Sequence, residues 1–157
     1  MPFAYPLHGF WRVTPAATLG LFASYGALDI GDTRFAGVEY DHRFDRIRIE
    51  IHAGRGEDDD VDVTLYGLAG DIDVTPRFAL GVDLDHLGEP GIDLTRFGVT
   101  GRFAVTDAAR VFGEVGRFEV GDGSGFGETC PGLGVSVAFG TGNEPTFGRR
   151  GFLDLLA

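Results

Sequence analysis

The chain has 157 residues, among them 26 Gly, 14 Phe and a single cysteine, Cys130, and it carries a formal net charge of -11 at pH 7. That length suits one domain spanning residues 1–157, and the Gly and Phe content points to an all-β protein with many turns and aromatic anchors. The acidity argues against a nucleic-acid partner, since phosphate binding calls for a basic face and the arginines are scattered among acids along the sequence; one cysteine excludes an intramolecular disulfide and a CxxC metal or redox site.

No run of 18 apolar residues occurs, so an ordinary transmembrane helix is not expected, whereas a transmembrane barrel strand needs only about 9 to 11 alternating residues. The opening MPFAYPLHGFW lacks a basic stretch followed by an apolar one and does not read as a signal peptide. If the chain is exported, the expectation is a mature form behind an added Met1.

Tyr5 to Arg12 is a flank that can add one strand. Val13-Thr14-Pro15 opens a tight turn into a strand over 18–28, and the same signal returns as Val74-Thr75-Pro76 and Val105-Thr106-Asp107. The threonines are 61 and 31 residues apart (75 minus 14, 106 minus 75). Halving the first interval places a fourth turn at His42-Arg43-Phe44-Asp45, between strands over 34–42 and 45–54. If that turn has four residues, Asp41 faces Arg46 and Glu39 faces Arg48.

The stretch Val63 to Leu87 reads as a hairpin around Thr75-Pro76-Arg77. Ile72 faces Leu80, Gly70 faces Val82 and Leu68 faces Leu84 on an apolar side, while Asp71, Asp73, Ala79 and Asp83 share the other. Further strands are expected over 94–105, 109–120 and 132–140, with Thr146 to Leu156 a second flank, giving eight to ten strands in all. Asp29 to Thr33, Arg55 to Asp62, Leu87 to Ile92 and Val120 to Gly132 read as longer polar loops at the opposite end, the last carrying Cys130. Glu57 to Asp62 reads as a solvated loop in preference to a cation site, and Gly121 to Gly125 as a flexible one in preference to a phosphate cradle.

Trp11, Phe44, Phe78, Phe103 and Phe139 lie near the tight turns, with Tyr25, Tyr40 and Tyr66 candidates for a second aromatic ring. Leu133 to Phe139, LGVSVAF, alternates and ends in an aromatic. In these features the chain, over roughly residues 10 to 140, resembles the small OmpA/OmpX-like outer-membrane barrels. The resemblance implies an up-and-down antiparallel transmembrane β-barrel in the bacterial outer membrane, its apolar face in contact with the lipid bilayer and lipopolysaccharide a possible partner.

The polar face then becomes a lumen with a charge network of Glu39, Asp41, Arg46, Arg48, Glu50, Asp83, Arg96 and Arg102, expected to nearly fill it. The function this supports is non-catalytic: a structural or surface-interaction role, or a narrow passive channel. Two alternatives are a soluble barrel holding an apolar ligand among Leu68, Leu84, Val82 and Ile49, and a rim hydrolase using Asp83, Asp85, His86 and His52. No catalytic residue, metal ligand or cofactor is assigned.

Overall fold

A computed structural model, which describes residues 3–28, 31–58, 61–121 and 126–137, shows nine antiparallel strands and no helix among those residues. They are β1 (Phe3–Thr14), β2 (Ala17–Leu28), β3 (Gly31–Phe44), β4 (Ile47–Asp58), β5 (Val61–Thr75), β6 (Phe78–Glu89), β7 (Ile92–Ala104), β8 (Ala109–Val120) and β9 (Gly127–Val137). Each pairs with the next in the order β1-β2-β3-β4-β5-β6-β7-β8-β9. The first flank is thus a strand, and Thr146 to Leu156 lies outside the described residues.

The recurring threonine has a local cause. Thr75 Oγ1 accepts the amide hydrogens of Arg77 and Phe78 at 3.3 and 3.0 Å, and Thr106 Oγ1 those of Ala108 and Ala109 at 3.3 and 2.9 Å. Thr14 Oγ1 does the same for Ala16 at 3.2 Å. The hydroxyl satisfies donors that a tight turn would otherwise leave without protein partners. The turn between β3 and β4 has no threonine and uses Asp45 at φ 50, a conformation that Asp tolerates better than most residues.

That turn contains two residues, not four. Phe44 pairs with Ile47, which sets Asp41 opposite Glu50, Glu39 opposite His52 and Arg43 opposite Arg48. The expected cross-strand pairs Asp41 with Arg46 and Glu39 with Arg48 are therefore absent from the ladder, although face assignment is unchanged because the shift is even. The β5–β6 hairpin has the expected register: Ile72 with Leu80, Gly70 with Val82 and Leu68 with Leu84.

The opposite ends of the strands differ from the expectation of long loops. Arg55 pairs with Thr64 and Glu57 with Asp62, and Gly88 pairs with Asp93. Polar composition does not stop a ladder whose bonds are between main chains, so three of the four stretches read as loops are mostly strand. The fourth is shortened as well, since β9 begins at Gly127 and places Cys130 in a strand opposite Gly116.

A single sheet without a second layer would leave both faces exposed, yet one face of this sheet buries Glu39, Asp41, Glu50, His52, Asp83, Asp85 and Thr100 to 9% exposure or less. The sheet is therefore curved, and its inner side chains pack on one another. On the outer face Leu68, Ile72, Val74, Leu80, Val82, Leu84, Phe97, Val99 and Phe103 are 40–51% exposed. The inner face lies open towards the edges of the sheet, where every β9 residue except Gly134 is exposed. Among the described residues, no ladder joins β9 to β1.

Candidate functional site: the inner wall

The pairing aligns inner residues into rows that cross the strands. Nearest the long-axis end opposite the threonine turns, Phe22, Gly37, Gly54, Leu65, Leu87 and Leu94 form one row, with Phe35 and Val63 above it. Phe22, Phe35, Val63, Leu65 and Leu87 are all buried, and Leu94 and Phe118 pack against them. The Phe22 ring lies across two strands, so close that a Cβ at Gly54 would stand 2.8 Å from its Cζ. This apolar collar departs from the expectation of a lumen nearly filled by a charge network. Its signal was present in the alternation of Phe22, Phe35, Val63 and Leu65 in step with the charged positions.

Below the collar the wall is charged. Glu39, His52, Asp85 and Arg96 share one row, and Asp41, Glu50 and Asp83 the next. Arg48 reaches from the row beneath to Asp41, through its Nε, and to Glu50 at 3.6 Å. Arg96 contacts Asp83 at 2.9 Å, Asp85 at 3.5 Å and Glu114 through its other terminal nitrogen. Arg102 reaches over β6 to Asp71 at 2.5 Å; a Cβ at Gly81, which lies between them, would meet both groups. His8 Nε2 lies 2.9 Å from Glu39 Oε2, and His52 Nε2 lies 3.5 Å from Asp85 Oδ1. Buried charges need such partners, because removing one partner of a buried pair costs about 3–5 kcal/mol.

Seven of the eight network residues, Glu39, Asp41, Arg48, Glu50, Asp83, Arg96 and Arg102, fall on this wall. Arg46 does not: it occupies the exposed β3–β4 turn. Asp71, Asp85, Glu114, His8 and His52 join the wall, and their inward parity was legible while their partners were not. Of the hydrolase constellation only His86 is separated from the inner wall, where His52 stands beside Asp85. Asp83 and Asp85 are inner and bound to Arg96, whereas His86 lies on the outer face, stacked on Tyr66 with ring centroids 4.6 Å apart. Leu68, Leu84 and Val82 are outer and exposed, and Ile49 shares their face opposite Gly70, so none of the four lines an interior ligand site.

The arrangement is an apolar outer surface, a curved sheet and an inner wall of paired charges. No protein-family model matches the sequence, and neither does any curated protein. Among solved structures the chain is similar to an anion-selective porin from Comamonas acidovorans, with TM-score 0.69, 11% identity and coverage of 85% of this chain and 49% of the porin. It is also similar to a loop L8 deletion mutant of OmpT, an outer-membrane protein of Vibrio cholerae, with TM-score 0.56, 18% identity and coverage of 87% and 53%. The chain spans about half the length of each. The fold is therefore the all-β, up-and-down antiparallel fold of transmembrane β-barrels.

Proposed function

We propose that the chain is an outer-membrane β-barrel protein without catalytic activity, and that its inner wall lines a narrow passive channel. The observation that carries this reading is the reversal of polarity across one sheet: exposed Leu, Ile, Val and Phe outside, and inside buried Asp and Glu paired with partly buried Arg. A lipid-facing belt above a charged lumen wall accounts for both faces, and a soluble protein with this outer surface would carry a very large contiguous apolar patch. Narrowness is supported by the near-complete burial of Leu65 and Thr100, each 1% exposed, on the inner face.

The test is reconstitution of the refolded chain in planar bilayers. Small, steady conductance steps support the channel, and a protein that inserts but passes no current leaves a structural barrel role. A chain that remains monodisperse without detergent removes the membrane reading altogether. Contact with lipopolysaccharide belongs to the same proposal, through the polar outer residues at the strand ends, where Arg55 and Asp62 pair at 3.0 Å and Arg117 and Glu119 at 2.7 Å.

A further inference from the structure

At the threonine-turn end of the inner wall, the ends of β3 to β8 line an open cavity of about 630 Å³ whose lining includes Arg43, Arg46, Arg48, Arg77, Arg102 and Arg110. These are six of the 13 basic residues in a chain of net charge -11, and all 13 are Arg. The acids in the lining are Asp71 and Asp73. We infer that this arginine cup is a binding site for phosphoryl oxyanions.

The charges are only partly spent within the protein. Arg102 is held by Asp71 at 2.5 Å, Arg43 lies 3.5 Å from Asp73, and Arg48 is engaged by Asp41 and Glu50. Arg46 and Arg77, each on a tight turn at the rim, have no side-chain partner among the described residues. Arg46 and Arg77 are thus the guanidinium groups of the lining left for a ligand, and the rim of the cup keeps their positive charge. The wall above it has the opposite balance, with Asp83, Asp85 and Glu114 grouped around Arg96.

Geometry selects the ligand class. Guanidinium forks match tetrahedral oxyanions through paired N–H donors, an advantage that a halide cannot use. A cavity of this size lies within the range of small-molecule sites and holds a phosphate or pyrophosphate with its water. A free phosphate and the phosphate of a lipid headgroup offer the same oxygens. The site's test reads binding in micelles, and so is decided separately from conductance.

The experiment is isothermal titration of pyrophosphate into the full chain refolded in a phosphate-free maltoside detergent at 0.1 M sodium chloride. Saturable binding is expected, weakened about tenfold or more in Arg46→Ala/Arg77→Ala, a change of about 1.4 kcal/mol or more. Arg46→Lys/Arg77→Lys should retain only part of the affinity, since charge stays and the fork is lost. Arg34→Ala, an exposed position at the far end of β3, should bind as the unmodified chain does. Phosphatidylglycerol added to the micelles distinguishes the source: competition with pyrophosphate assigns the cup to a headgroup, and its lack assigns it to the free anion. Absent binding, equal binding in Arg46→Ala/Arg77→Ala, or full displacement by sodium chloride raised only to 0.2 M would overturn the assignment.

Discussion

At the scale of single residues, alternation sets opposite environments at adjacent positions, and this gives two measurable contrasts. Val82 is 51% exposed on the outer face, so Val82→Arg should lower stability in bilayers by about 2–4 kcal/mol, the usual cost at the lipid midplane. Ser136→Arg on the open inner side of β9 should cost little, and equal losses in urea unfolding from liposomes would contradict the faces. Arg48 and Asp41 are directly paired. Their alanine double-mutant cycle should therefore show coupling within about 0.5–3 kcal/mol, and strictly additive losses would show that the pair does not hold the wall together.

The same scale explains what could be read from the sequence. Parity put Glu39, Arg48, Asp83, Arg96 and Arg102 on one face, because a side-chain period of two survives any even slip of register. Partners were not legible. Arg102 meets Asp71 across an intervening strand and His8 meets Glu39 in the same manner; such contacts depend on curvature and stagger, which no local spacing encodes. The gathering of Arg43 and Arg46 with Arg77 and Arg110 was hidden for the same reason, since the three stretches that carry them lie far apart in the sequence.

At the scale of the hairpin, the Val-Thr turns act as repeated clamps. Thr75→Ala and Thr106→Ala each remove a hydroxyl that accepts two amide hydrogens. Each should cost about 0.5–1.5 kcal/mol, the ordinary worth of a hydrogen bond, and Thr→Ser should restore most of it in thermal unfolding. The register of β5–β6 was legible because Thr75-Pro76-Arg77 announces its own turn. That of β3–β4 was not, because Asp45 adopts a positive φ without Gly to signal it. The collar offers a second element-level contrast: Gly54→Ala should be destabilising through its clash with Phe22, and Phe22→Leu should recover part of the loss in the double variant.

At the scale of the whole molecule, the inner wall changes character from an apolar collar through an acid-rich zone to the arginine cup. Cys130 is exposed on the inner side of β9, opposite Gly116. Modification by a small charged methanethiosulfonate reagent should therefore alter the current in planar bilayers, while a bulky maleimide reacts more slowly than with an unfolded control. Unchanged current after complete modification would place the thiol away from the permeation path. The overall class was legible because every strand repeats one pattern, whereas loop length was not, since Glu57 and Asp62 look like a loop and yet extend a ladder.

Nine strands among the described residues have a consequence of parity. Neighbours alternate in direction, so β1 and β9 run the same way, and a ring in which every neighbour is antiparallel needs an even number of members. Sealing this sheet takes either an odd number of additional strands or one parallel seam. Both margins also carry the only prolines found within the described strands, Pro6 in β1 and Pro131 in β9. A proline has no amide hydrogen to lend to a neighbour and is confined in sheets to such margins. Whatever completes the wall must meet it along two borders that each lack a donor.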